Sequence, residues 1–193
     1  MSKNANDPRS LSSDPTPAAK GPKGITPRPG QTLCGDLDMR IDRNGVWYYH
    51  GSPIGRKELV RLFSTVLRRD DAGDYWLITP AELGRIEVED APFMAVELIT
   101  TGNGADQIIT FRTNVDTFVS ADNDHPIRVN IDPDTGEPSP YVVMDGRLEA
   151  RLTRSVYYDL VGLGTEEKID AKRSFGVWSG GAFFALGNLE TAP

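Results

Sequence analysis

The sequence predicts an α+β fold built from two related domains, and three observations predict it. Short runs of β-forming residues separated by Gly, Asn, Asp and Pro recur from Asp38 to Leu186, whereas only two segments carry helical spacing. A hairpin followed by a helix occurs once in each half, which suggests a diverged internal repeat. The expected division is a tail over 1–30, an N-terminal α+β domain over 31–91 and a C-terminal β-rich domain over 92–193.

Residues 1–30 hold six of the 14 prolines and almost no large apolar side chain beyond Leu11 and Ile25, so a disordered tail is expected there. Pro27-Arg28-Pro29 could alternatively form a polyproline docking peptide. From Asp38 the pattern alternates: Met39 and Ile41 on one face, Asn44-Gly45 as a hairpin turn, then Val46 to Tyr49. Ser52-Pro53-Ile54 leads into Arg56 to Arg69, where Leu59, Leu62, Phe63, Val66 and Leu67 recur at helical spacing. The opposite stripe of Lys57, Arg61 and Arg68 reads either as a solvated face or as a phosphate-facing one.

Tyr75 to Ile78 reads as a short buried strand. Thr79-Pro80-Ala81-Glu82 has the spacing of a capping box and predicts a single helical turn. Strands are then expected at Ile86–Glu89, Phe93–Ile99, Ile108–Arg112, Thr117–Val119, Ile127–Ile131, Tyr141–Met144 and Leu148–Leu152, an antiparallel meander. Thr153 can cap a second helix containing Val156, Tyr157 and Leu160, ended by Gly162 and Gly164. Val177 to Leu186 supplies a last strand or a glycine-broken hairpin.

The repeat aligns Ile41-Asp42 with Ile131-Asp132, Gly45 with Gly136, Trp47 with Tyr141, Gly51 with Gly146, Leu59 with Val156, Phe63 with Leu160 and Trp76 with Trp178. The offset grows from 90 to 102 only at turns, as loop insertions would make it. A seam between two such copies is a common place for a ligand.

Composition narrows the function. Beyond residue 30 there are 16 basic and 26 acidic side chains, a net charge of −10, which repels polyphosphate and argues against a general nucleic-acid binder. One cysteine cannot form an internal disulfide, and no secretory leader or apolar run of membrane-spanning length is found, so a cytoplasmic protein without membrane attachment is expected. His50 and His125 do not cluster, Asp132–Gly136 departs from a calcium loop, and Gly176–Gly181 lacks the spacing of a nucleophile elbow, so no metal and no catalytic residue is assigned. No phosphate-binding glycine motif opens a helix, and Cys34 has nothing beside it to lower its pKa.

What remains is a polar set at strand ends and turns. Thr79, Glu82, Glu89, Asp90 and Phe93 of the first half are expected to face Thr113, Asn114, Arg128 and Tyr141 of the second, with Arg56 supplying charge from the start of its helix. Phe93 and Tyr141 would offer flat surface to a base. Glu89 and Asp90 could alternatively act as a general acid and base on a phosphorylated substrate, or the protein could be an interaction scaffold with no small ligand.

The runs Gly51-Ser52-Pro53-Ile54-x-Arg56, Leu59-Val60-Arg61-Leu62-Phe63, Thr79-Pro80-x-Glu82, Val88-Glu89-Asp90-Ala91-Pro92-Phe93, Phe111-x-Thr113-Asn114, Pro140-Tyr141-Val142 and Leu148-x-Ala150-Arg151-Leu152-x-Arg154 resemble the proteobacterial family called domain of unknown function 1285. The likeness runs from about Leu37 to Gly187. It implies a duplicated α+β core whose C-terminal half is superficially like a pleckstrin homology barrel, a nucleotide-like ligand at the domain interface, and a part in signal transduction. It attaches no catalytic activity and names no cofactor.

Overall fold

The computed structural model describes residues 21–169 and 172–188. The expectation of disorder over residues 1–20 lies outside them. Residues 21–30, also expected in the tail, instead lie against the first domain. There the Lys23 N–H donates to Asp70 Oδ2 at 2.9 Å and the Lys23 carbonyl accepts the Asp71 N–H at 3.0 Å. The composition that suggested a loose tail does not forbid an irregular segment anchored by its own backbone groups.

The first domain is a six-stranded sheet of β1 (Thr32–Ile41), β2 (Trp47–Tyr49), β3 (Ser52–Pro53), β4 (Leu67–Arg69), β5 (Tyr75–Ile78) and β6 (Glu82–Val88), with α1 (Lys57–Val66) between β3 and β4. Their order is β3-β2-β1-β6-β5-β4, and β1 and β6 run parallel. Met39 and Ile41 alternate inward as expected and pack with Trp47. The Asn44-Gly45 turn is not a two-residue one. Asp42 Oδ1 accepts the N–H groups of Asn44 and Val46, both at 2.9 Å, so an Asp-anchored loop makes the reversal and only Gly45 needs positive φ.

Helix α1 ends three residues before Arg69, because Leu67 to Arg69 leave it to pair with β5, Leu67 opposite Leu77 and Arg69 opposite Tyr75. Full burial of Leu67 in the sheet outweighs one more helical turn. At Thr79–Glu82 there is no helical turn. The Thr79 hydroxyl accepts the N–H groups of Ala81 and Glu82, the bonds a cap would make, but they close the β5–β6 hairpin.

The second domain has β7 (Phe93–Thr101), β8 (Ile108–Thr113), β9 (Phe118–Ser120), β10 (Ile127–Ile131), β11 (Pro138–Val143) and β12 (Glu149–Leu152) in the order β10-β11-β12-β7-β8-β9. The meander is interrupted at its centre, where β12 returns to pair parallel with β7. After α2 (Arg154–Gly162) come β13 (Thr165–Ile169), β14 (Lys172–Ser179) and β15 (Ala182–Asn188), a three-stranded antiparallel sheet. Thus the glycine-broken hairpin is present, with a further strand before it. Gly180 and Gly181, both at positive φ, make its turn.

This last sheet curls over the six-stranded one. Strand β15 lies against β10, and the buried Ser179 hydroxyl accepts the Ile109 N–H at 2.9 Å and donates to the Ala121 carbonyl at 2.6 Å. One continuous apolar core joins both domains, from Met39, Ile41 and Trp47 to Phe93, Phe111, Leu160 and Val177.

Candidate functional site

Asp90 sits in the short connection between β6 and β7, where the two domains meet. The Tyr141 hydroxyl donates to its Oδ1 at 2.7 Å and Arg151 donates to its Oδ2 at 2.8 Å. Arg128 lies 4.3 Å above the Tyr141 ring and grips Glu149 with two bonds, 2.5 and 2.7 Å long. From the first domain, Arg69 comes within 3.9 Å of the same Glu149. Burial, then the hydrogen bond to Asp90, pushes the Tyr141 phenol up from its ordinary value, so it remains a donor at neutral pH.

Three of the sequence-selected residues, Asp90, Arg128 and Tyr141, therefore meet directly. Glu89 is next to them and is held by Arg40, by the Arg43 N–H at 3.1 Å and by the Arg43 guanidinium at 3.8 Å. Asn114 reaches the seam in another way, donating to the Gly45 carbonyl at 3.1 Å. Thr113 is fully buried and accepts the Thr117 N–H, which shapes the β8–β9 turn, and Phe93 is core.

The others lie apart. Thr79 and Glu82 are at the opposite end of β6 from Glu89, roughly 20 Å away at strand rise. They border a small apolar groove beneath α1 with Leu59 and Phe63. Arg56 is exposed at the α1 N-terminus and has no part in the seam clefts. The basic stripe of α1 is turned to the second domain, where Lys57 and Arg61 stand 2.9 and 3.7 Å from Asp116.

Beyond Arg151 the seam opens into a cleft of about 650 Å³. Arg43 and Asn44 of the β1–β2 loop form one wall; Arg151 on β12, then Thr153, Arg154, Tyr157 and Tyr158 at the start of α2, form the other, with Glu137 and Pro138 at the rim. Thr153 is the N-cap of α2 but its side chain makes no capping bond. Three arginines thus line one cleft with two tyrosines, in a body that is otherwise acidic, and each arginine also faces a carboxylate: Arg43 Glu89, Arg151 Asp90 and Arg154 Glu137. Such a set can bind a polyanion through charge-assisted bonds and stack a planar ring.

A second seam cleft of about 620 Å³ is lined by Ser64 and Thr65 at the end of α1 and Arg68 on β4, with Phe118, Asp122, His125 and Asp145 of the second domain. His125 is bracketed, Nδ1 at 3.1 Å from Asp122 and Nε2 at 3.3 Å from Asp145. Burial lowers its pKa, but the two carboxylates more than offset this and leave it raised. Arg68 is directed back to the Thr65 and Leu67 carbonyls. Among the described residues no group of three or more His, Cys, Asp or Glu side chains is placed to hold a metal ion.

Arg43, Arg151, Arg154, Tyr157 and Tyr158 are not among the site residues expected from the sequence, although Arg151 and Arg154 stand in one of the family-like runs. The alternation of Ala150 and Leu152 inward with Arg151 outward was the available signal.

Two family models match the chain: the N-terminal domain of the domain of unknown function DUF1285 over residues 29–91, and the C-terminal domain of the same over residues 92–186. The crystal structure of a DUF1285 family protein from Silicibacter pomeroyi DSS-3 is 43% identical, with a TM-score of 0.76, over 88% of this chain and 92% of that one. That of a DUF1285 family protein from Shewanella baltica OS155 is 27% identical, with a TM-score of 0.53, over 66% of this chain and 91% of that one. No curated protein matches the chain.

Proposed function

The chain belongs to the DUF1285 family, and on that premise we propose that it is a cytoplasmic regulatory module that binds a small anionic, nucleotide-like ligand in the arginine-lined seam cleft, as a step in signal transduction. The observation that carries this reading is the convergence of Arg43 from one domain with Arg151 and Arg154 from the other, beside Tyr157 and Tyr158. A ligand held by all three would bridge the domains and so bias their relative arrangement, which is what a sensor requires. Glu89 and Asp90 are each engaged by arginines, an arrangement that favours positioning those cations over acid–base catalysis. No helix among the described residues is long and apolar enough to cross a membrane.

We infer that the two domains are copies of one unit. Replacing β1, β2, β3, α1, β4, β5 and β6 by β10, β11, β12, α2, β13, β14 and β15 reproduces the sequence of elements. The order β3-β2-β1-β6-β5-β4 becomes β12-β11-β10 followed across a non-bonded junction by β15-β14-β13. Strands β7 to β9 are then an insertion that builds out the second copy, and the curled nine-stranded half is the part we liken to a pleckstrin homology barrel.

The test is a thermal-shift screen of mono-, di- and cyclic dinucleotides, with and without magnesium. A ligand at 100 times its Kd should stabilise the fold by about 2.7 kcal/mol, a rise in melting temperature of roughly 5–10 °C at this size. Arg43→Ala and Arg154→Ala should each diminish the shift. No shift with any nucleotide would overturn the reading in favour of a scaffold without small ligand.

A further inference from the structure

Glu137 is the only carboxylate among the residues lining the arginine cleft. It is held there by the β10–β11 loop. Asp132 Oδ1 accepts the N–H groups of Asp134 and Thr135 at 2.9 and 2.8 Å, the Glu137 N–H donates to the Thr135 hydroxyl at 3.3 Å, and the Glu137 carbonyl accepts the Asp132 N–H at 3.0 Å. Arg154, which lines the same cleft, lies 3.4 Å from its Oε1, and both side chains are exposed. An acid in a site otherwise built for anions opposes phosphate binding, so its presence calls for a different task.

We propose that Glu137 reads the base and makes the cleft selective for guanine nucleotides, an inference that rests on the nucleotide reading above. An ionised carboxylate offers two adjacent acceptors and no donor. Guanine presents two adjacent donors, N1–H and the N2 amino group, and satisfies both. Adenine and cytosine each set one donor beside a ring-nitrogen acceptor, and uracil flanks its single N–H with two carbonyls; each would leave a carboxylate oxygen facing a lone pair. Tyr158, 64% exposed, and the half-buried Tyr157 supply ring faces on the same wall for the purine to stack on. The diphosphate then falls to Arg43 and Arg151.

Titration of the full-length chain with GDP, IDP and ADP, monitored by calorimetry, separates base from phosphate, since the three share their phosphates. GDP should bind about tenfold more tightly than ADP, with IDP, which lacks the N2 amino group, between them. Glu137→Gln, which replaces one acceptor by a donor, should bring GDP and ADP within about twofold of each other, with ADP binding retained. Its unliganded melting temperature should stay near that of the parent, because an exposed ion pair contributes little. Arg43→Ala should weaken GDP and ADP alike. Equal binding of GDP and ADP by the parent, or a guanine preference that survives Glu137→Gln, overturns the assignment of Glu137 while leaving the anion cleft standing. Loss of ADP binding in Glu137→Gln overturns it too, since base discrimination alone would spare ADP. Failure of all three diphosphates to bind overturns the guanine assignment, and the nucleotide reading falls with it only if the wider screen, cyclic dinucleotides included, is also negative.

Discussion

The Asn114 side chain clasps the two domains together by its bond to Gly45. Its amide nitrogen donates to the Gly45 carbonyl at 3.1 Å, while its Oδ1 accepts the Met94 N–H at 3.1 Å and its own N–H donates to the Met94 carbonyl at 2.9 Å. A Cβ on Gly45 would stand 2.8 Å from both Asn114 Nδ2 and Met94 Cγ, at a backbone φ of +75° that already disfavours alanine.

Asn114→Ala should therefore cost about 1–3 kcal/mol, because it leaves the Met94 N–H and the Gly45 carbonyl unpaired. Gly45→Ala should cost at least about 1 kcal/mol from its positive φ alone, and the double variant should cost less than the sum, since the clash with Asn114 disappears. Urea unfolding of the three variants measures all three terms. Additive costs would mean that the two residues do not act on each other.

Asp70 is a buried carboxylate at 3% exposure that accepts four hydrogen bonds, from the N–H groups of Lys23, Ala72 and Asp74 and from the Trp76 indole. Burial raises its pKa, yet the donors, the backbone ones foremost, more than offset that and leave it below the ordinary 3.8. A depressed carboxylate contributes stability that is present above its unfolded pKa and is lost as pH falls through the folded value. Asp70→Asn should be less stable at pH 7 by about 2–3 kcal/mol, and its deficit against the parent should shrink below about pH 4. Asp116, Asp122 and Asp132, also lowered, stay in both proteins and cancel from the comparison. A deficit that is constant with pH would show that charge on Asp70 is not what the four donors hold.

Local patterns were legible in the sequence and long-range pairings were not. The inward alternation of Met39, Ile41 and Trp47, and the helix bearing Val156 and Leu160, follow from residues within a few positions of one another. The early half of β1 is nearly all exposed and carries no inward alternation, and it forms a strand because Thr32 pairs with Glu82, fifty residues on. Strand β4 continues the helical spacing of α1 and was hidden by it. The site divides in the same way. Asp90, Arg128 and Tyr141 were selected as strand-end polar residues and do meet, whereas Thr79 and Glu82 were selected on the same ground and lie at the wrong end of β6. Arg43 and Arg154 converge only through the docking of one domain on the other, which no local spacing records.

Trp47 is 1% exposed and stacks on Phe63 of α1, ring centroids 6.2 Å apart at 20°, yet its indole N–H has no hydrogen-bond partner among the described residues. Its counterpart in the proposed repeat, Tyr141, satisfies its polar atom through Asp90. A buried unpaired donor costs about 1–3 kcal/mol, which sets itself against the gain from burying the ring. Trp47→Phe removes the donor along with part of the ring area, so it should change stability by no more than about 1 kcal/mol, whereas Trp47→Ala should cost about 3–5 kcal/mol through the cavity it opens. Trp47→Tyr keeps the bulk but carries a hydroxyl into the same apolar surroundings of Ile41 and Phe63, and should be worse than Phe. Denaturant titration of the three variants orders them. A Phe variant as unstable as the Ala one would mean that the indole N–H is engaged after all, and that the packing of α1 on the sheet depends on that bond rather than on the stacked rings.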